Sequence, residues 1–243
     1  MNERLTSIVI VNWNTPRHLE KAVQAVRRHT DRDYELILVD NGSRPESRSL
    51  IERLQAEGPS TRSLFLPENL GYAAGNNRGI ALARGDAICL LNSDAFVTGG
   101  WLSSLRRSLD EHAADMAGPC TNRCKGVQRR KLWLSTFPPP AAFRRAQETD
   151  FLSFFCVLIR RRVFETIGVL DERFEVGSWE DVDFCRRARE SRHRLWVDGR
   201  SWVWHLAHAT FLANDLKEED LRARNRVVYD AKWTPSHEEP RRR

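Results

Sequence analysis

Three short segments put polar side chains where an apolar run stops: Asn12-Trp13-Asn14, Asp40-Asn41-Gly42-Ser43 and Asn92-Ser93-Asp94. Their amides and hydroxyls can give and accept hydrogen bonds, while Asp40 and Asp94 add carboxylates. Asn, Asp, Gly and Ser are also ordinary turn residues, so one such segment alone would carry no argument. Three of them on neighbouring strands point to a shared polar pocket, because an open parallel sheet binds ligands outside the carboxyl ends of its strands. That pocket lacks the usual phosphate cradles. Pro16 and Arg17 stand where a G-x-G-x-x-G turn would begin, and no G-x-x-x-x-G-K-[ST] occurs. A nucleotide diphosphate here would need a divalent cation on a carboxylate, with phosphate oxygens completing its shell. Asp94 is the natural ligand.

The elements that must position these residues follow from the hydrophobic pattern. Ser7–Trp13 is a β-branched run, and Pro16 then opens a helix in which Leu19, Val23 and Val26 recur at helical spacing as far as His29. The design repeats in a strand ending at Asp40 and a helical stretch holding Leu50, Ile51 and Leu54. It continues in a third strand "RSLFLPEN", an Ala-rich helix between Asn69 and Gly85-Asp86, and a fourth strand "AICLLNSD". Strands alternating with helices of this length predict right-handed βαβ units and a parallel sheet covered on both faces. The expected fold class is α/β, Rossmann-like over the first hundred residues.

Beyond Gly100 the rhythm changes. A helix is expected from Trp101 to about His112, then a basic, Pro-containing loop through "FPPP". A mixed region follows, with a strand "FFCVLIR" and a helix around Val163–Ile167. "WEDVDFCRRARES" reads as a helix whose opening acids suit the positive end of its dipole. Two strands, "RLWVDG" and "SWVWH", precede an Arg/Glu-rich helix from about Leu216 to Ala231. Nothing in the composition divides the chain, so a single domain over 1–243 is expected.

The 243 residues carry 41% hydrophobic and 30% charged side chains, which suits a globular protein with a core. The formal net charge is +6. Between Arg123 and Arg145 stand seven Lys/Arg and no acid, and further clusters occupy Arg160–Arg162 and Arg241–Arg243. Such a surface could attract nucleic acid, anionic lipid or a phosphorylated substrate, and charge alone names none of them. The five cysteines are scattered; Cys120 and Cys124 lack the second pair that a metal site would need. No window of eighteen apolar residues occurs, and the opening "MNERLTSIVIVNWN" lacks the design of a signal peptide. The expected compartment is the cytoplasm, with the inner face of the membrane as an alternative.

Taken in order, "SIVIVNWNTP", "LILVDNGS", "ENLGYAAGNNRGIALARGDAICLLNSDAFV", "LIRRRVFETIGVLDERF", "WEDVDFCRRARE" and "VWHLAHATF" resemble a family 2 glycosyltransferase with the GT-A fold. The match runs from Ser7 to Phe211. The resemblance implies an inverting transfer of a sugar from a nucleotide diphosphate sugar to an acceptor hydroxyl. It implies a nucleotide-sugar half over 1–100, an acceptor side over 101–212, and a C-terminal helix with a basic tail over 213–243.

The resemblance also implies roles for particular positions. Asp40 would accept a hydrogen bond from the nucleotide base, with Asn41 beside it, and Val11, Trp13 and Asn14 would line the nucleoside pocket. Gly71 and Asn76 would lie near the sugar nucleotide. The family's acidic Asp-x-Asp motif stands here as Asn92-Ser93-Asp94, leaving Asp94 as the anionic metal ligand. His205 would be a further ligand, with His208 as a less well-matched alternative; an imidazole beside a carboxylate suits Mn2+ somewhat better than Mg2+. Asp181 matches the general base, and Glu180 would orient it or contact acceptor. One departure is Phe154-Phe155-Cys156, where many relatives have a small residue, and a bulky ring there would reshape the acceptor pocket.

UDP is the expected donor carrier, with dTDP or GDP as alternatives. The acceptor would be a glycan, a lipid-linked molecule or a protein, met with or without peripheral membrane contact; nucleic acid is not an expected partner. Two other readings compete. A sugar nucleotidyltransferase would need a Gly-rich loop with Arg and Lys after the first strand, which is missing. A non-catalytic module binding glycan or nucleic acid would not need Asp94, Asp181 and His205 together.

Overall fold

The computed structural model describes residues 5–124, 126–130, 145–207 and 209–234. His208, most of the basic stretch and the three terminal arginines lie outside the described residues. The first half alternates as the hydrophobic pattern predicts: β1 (Thr6–Asn12), α1 (Pro16–His29), β2 (Tyr34–Asn41), α2 (Pro45–Glu57), β3 (Thr61–Leu66), α3 (Tyr72–Leu82) and β4 (Ala87–Leu91). The second half holds β5 (Ala95–Val97), α4 (Trp101–Glu111), β6 (Met116–Cys120), β7 (Ala146–Thr149), β8 (Cys156–Arg160) and α5 (Arg161–Ile167). It ends with α6 (Glu180–Glu190), β9 (Leu195–His205), α7 (Ala209–Ala213) and α8 (Glu218–Trp233).

The strands form one sheet in the order β3-β2-β1-β4-β8-β6-β9-β5, with β7 also paired to β9. β1 to β4 run parallel, β8 lies antiparallel to β4, and β6 and β9 run parallel to each other. The result is an α/β fold with a largely parallel nucleus and a mixed flank. β1 is buried along nearly its whole length because helices cover both faces, which is why it reads as an unbroken apolar run. On one face, α1 seats Leu19, Ala22, Val23 and Val26 against the sheet. On the other, α3 comes very close: a Cβ on Gly79 would sit 2.3 Å from Val9 Cγ1.

Three differences from the sequence pattern bear on function. β5, β6 and β7 are short strands that the pattern does not predict. The two strands expected at "RLWVDG" and "SWVWH" are one, β9, which carries an irregularity where its pairing jumps from Pro119↔Asp198 to Cys120↔Trp202. Buried Asp198 holds that irregularity, accepting from Ser108 Oγ at 2.7 Å and from the Arg200 backbone N–H at 2.8 Å. Gly199 therefore bends the strand without ending it. The last helix begins at Glu218, two residues later than expected, and is preceded by the short α7.

Candidate active site

The three polar strand ends meet. Asn12 Nδ2 donates to Ser43 Oγ at 3.2 Å, joining β1 to β2. Asn12 Oδ1 accepts from Thr15 Oγ1 at 2.9 Å, and Thr15 Oγ1 in turn lies 3.0 Å from Ser93 Oγ beyond β4. A buried hydrogen-bond chain thus ties the ends of β2, β1 and β4. Above it opens a cleft of about 240 Å³ lined by Val11, Trp13, Asn41, Asn92, Ser93, Asp94, Glu180, Asp181 and His205, among others. Nine of the expected site residues therefore share one cavity.

Asp94 and His205 are brought together by β5. In its antiparallel pairing with β9, Ala95 lies opposite His205, so the residue before Ala95 faces the imidazole. His205 Nε2 lies 3.3 Å from Asp94 Oδ1, and Nδ1 lies 2.9 Å from the Arg123 carbonyl oxygen. A carbonyl only accepts, so Nδ1 carries a proton, and Nε2 faces the carboxylate, as a donor when the ring is charged and as a lone pair for a cation when it is neutral. Burial works to raise the Asp94 carboxyl, but the bond and charge of His205 and the Ala209 N–H outweigh it, leaving Asp94 below the usual carboxylate range. Phe155 stacks on His205, with ring centroids 4.9 Å apart, and fixes its plane. The Phe154-Phe155 pair thus builds the wall behind this site.

Asp181 and Glu180 open α6 on another wall. Trp179, the residue before them, has φ 77°, Ser178 φ 78° and Gly177 φ 145°, so three successive residues sit on the positive side of φ. That turn aims Asp181 into the cleft. Loss of water around Asp181 pushes its carboxyl up to about 6, against the pull of hydrogen bonds from the Val182 and Phe154 backbone. Glu180 is more deeply buried; desolvation and the Asp181 charge raise it well above the usual range. Burial thus bears harder on the Glu180 carboxyl than on Asp181, so Asp181 is the readier of the two to ionise.

The remaining expected residues take supporting places. Asp40 is buried behind the cleft, where Oδ2 accepts from the Ser43 N–H at 3.3 Å and Oδ1 has no partner among the described residues. Asn14 does not line the cavity. It links loops, donating to Asn214 Oδ1 at 2.7 Å and accepting from the Arg44 N–H at 2.7 Å. Gly71 also lies off the cavity: φ is 90°, and a Cβ there would lie 2.0 Å from the Glu175 carbonyl oxygen. Asn76 bonds back to the Tyr72 carbonyl at 2.9 Å.

Sequence reasoning missed Asn69, Tyr72 and Ser153, which line the same cavity, and Asn225, which does not. Tyr72 Oη donates to the Phe154 carbonyl at 2.7 Å, tying α3 to the wall behind His205. Asn225, 2% exposed, donates from Nδ2 to the Gly177 and Ser178 carbonyls at 2.8 and 3.0 Å. The available signal for the first two was their place in "NLGY", the turn that leads from β3 into α3. Asn225 had none, because its partners lie almost fifty positions away.

The charges lining the cleft are one-sided. Asp94, Glu180, Asp181 and Glu218 contribute carboxyl groups, and no described lining residue is Lys or Arg. A diphosphate in this cavity would meet no lysine or arginine among the described lining residues, the setting in which a divalent cation commonly offsets phosphate charge. Asp94 and His205 Nε2 converge as a suitable O/N pair. Among the described residues no cluster of three or more His, Cys, Asp or Glu could hold a metal alone, so further ligands would have to come from the bound molecule or water.

Known proteins resemble this chain in sequence and in fold. The family model Glycosyl transferase family 2 matches residues 7–168. The chain is 32% identical over 235 residues to an uncharacterized glycosyltransferase, YwdF, of Bacillus subtilis, covering 92% of this chain and 81% of that protein. It is 28% identical over 116 residues to the GalNAc(5)-diNAcBac-PP-undecaprenol beta-1,3-glucosyltransferase of Campylobacter jejuni, covering 47% of this chain and 37% of the relative. Several other curated relatives are matched over only about a quarter to two fifths of their own length. Among solved structures, a Pyrobaculum calidifontis mannosyltransferase in complex with GDP-Man and Mn2+ superposes with TM-score 0.70 at 15% identity, over 99% of this chain and 66% of that one. The chain belongs to glycosyl transferase family 2.

Proposed function

We propose that the cleft binds a nucleotide diphosphate sugar and passes the sugar, with inversion, to an acceptor hydroxyl. The observation that carries this reading is the placement of Asp94–His205 and Asp181 on one cavity whose described lining has no Lys or Arg. Val11, Trp13 and Asn41 would receive the nucleoside, with the buried, unpartnered Asp40 Oδ1 as acceptor for a base N–H. Mn2+ or Mg2+ on Asp94 and His205 would supply charge compensation for the leaving diphosphate.

In the reaction the acceptor oxygen forms a bond to the anomeric carbon as the bond from that carbon to the diphosphate oxygen breaks. The hydroxyl proton passes to Asp181, whose carboxylate is held near the acidity a base needs at neutral pH. Burial raises the Glu180 carboxyl beside it, which favours Asp181 as the anion of the pair. The Pyrobaculum mannosyltransferase was captured with GDP-Man, whereas the family resemblance favours UDP, so the donor base is to be decided by assay.

Thermal stabilisation by a panel of UDP-, dTDP- and GDP-sugars, with and without Mn2+, tests this reading. A rise in Tm with one nucleotide class, larger with the metal, is expected. No stabilisation by any member would favour a non-catalytic module instead.

A further inference from the structure

Beside the donor cleft lies a second, wider one of about 1430 Å³, and the two share Ser153, Ser178, Asp181, His205, Ala207 and Glu218. Asp181 stands at their junction, so the wider cleft is where an acceptor hydroxyl would approach. Its lining carries five arginines, Arg123, Arg129, Arg186, Arg189 and Arg222, against four carboxyl groups, Asp150, Asp181, Glu190 and Glu218, whereas the described donor lining has no arginine.

Three of these arginines already have carboxylate partners. Arg186 pairs with Glu190 at 3.1 Å, Arg189 with Asp150 at 3.0 Å, and Arg222 with Glu218 at 4.0 Å. Arg123 and Arg129 have no carboxylate partner among the described residues. Among the described residues, Arg123 donates from its side chain to the Leu206 carbonyl, at 3.1 Å. Both arginines stand on a turn with a firm base. Gln128, 1% exposed, donates to the Pro119 carbonyl at 3.0 Å and accepts from the Ser153 N–H at 2.7 Å. The Thr121 and Arg130 N–H groups close the turn, each bond 2.9 Å long. Two guanidinium groups are thus presented to the acceptor cleft while the donor cleft receives none.

We propose that Arg123 and Arg129 form an acceptor subsite for a phosphate-bearing acceptor. Resting on the donor reading above, this assigns the substrate class of the second cleft. Two uncompensated guanidinium charges match a phosphate monoester or diphosphate better than one carboxylate, and their planar forks suit its oxygens. A neutral glycan would leave both without an anionic partner. The donor's own diphosphate is not their target, because neither residue lines the donor cavity.

The test is a titration of the full chain saturated with the preferred nucleoside diphosphate and Mn2+, so that the donor site is filled. Glucose 1-phosphate and decyl diphosphate are compared with neutral octyl glucoside. Both phosphates should bind, weakening as salt rises, and at least about 10-fold tighter than the neutral probe. Tighter binding of decyl diphosphate than of glucose 1-phosphate would identify a lipid-linked source, and equal binding a soluble one. Arg129→Ala should lose about 10-fold in affinity for the phosphates, and Arg123→Ala/Arg129→Ala more. Nucleotide-sugar affinity in Arg129→Ala should match the wild type, which separates this outcome from failure of the donor reading. Equal binding of octyl glucoside and the phosphates, no phosphate binding, or unchanged affinity in the double variant would overturn the proposal.

Discussion

His205 presents its Nδ1 to the Arg123 carbonyl and its Nε2 to Asp94, 3.3 Å from Oδ1. A backbone carbonyl on one side and a buried carboxylate on the other fix the ring plane and keep a proton on Nδ1. His205→Ala and Asp94→Asn are each expected to weaken Mn2+-dependent binding of the nucleotide sugar by at least about 10-fold. Calorimetric titration with and without EDTA checks this. If either variant kept wild-type metal dependence, the ligand pair would be misassigned.

Asn225 is the remote partner of the base. Its two hydrogen bonds hold the Gly177-Ser178 carbonyls, and Trp179 Nε1 adds a bond to the Arg222 carbonyl at 3.0 Å, so α8 clamps the turn that aims Asp181. Asn225→Asp keeps the shape but removes the donor. It should lower kcat about 10- to 100-fold, since small displacements of a catalytic group are costly, with donor Kd little changed. Equal losses in kcat and donor affinity would instead indicate general unfolding.

The acidity of Asp181 sets the pH response of catalysis. A base whose carboxyl lies at about 6 is lost on acidification, so kcat/KM should fall as pH drops through that value and level off above it. Steady-state rates from pH 4.5 to 8.5 report the limb directly. A rate independent of pH between 5 and 7 would mean that another group takes the proton.

The same shift has a cost in stability. Because folding raises the Asp181 carboxyl from its ordinary 3.8 to about 6, its contribution is most favourable below pH 4 and is lost as pH rises through 6. Asp181→Asn should therefore be more heat-stable than the wild type at pH 7.5, by up to about 3 kcal/mol, with the gain vanishing near pH 4. Denaturant melts at the two pH values decide it, and a less stable variant at pH 7.5 contradicts the linkage.

Much of the donor side was legible in the sequence because its chemistry sits at strand ends within one alternating run. Asn12, Asp40, Asn41, Asn92 and Asp94 each follow an apolar strand, and a parallel sheet gathers such ends. The acceptor side was less legible. "AFV" is too short to read as a strand, yet β5 is what sets Asp94 against His205. The "MAGPC" of β6 holds Gly and Pro, which argue against a strand by composition. Gly71 and Asn14 read as ligand contacts, but their geometry is that of a tight turn and a loop tie. Asn225 acts through a contact 48 residues distant in sequence, beyond the reach of any local pattern.

On this mechanism Asp181 accepts the acceptor proton in a cleft that binds the donor independently of it. The most direct measurement pairs sugar-transfer rate with donor Kd in Asp181→Asn. Transfer should fall by at least about 100-fold, the scale of a lost general base, while nucleotide-sugar affinity in the presence of Mn2+ stays within about twofold of wild type. Wild-type turnover in that variant would show that Asp181 is not the base.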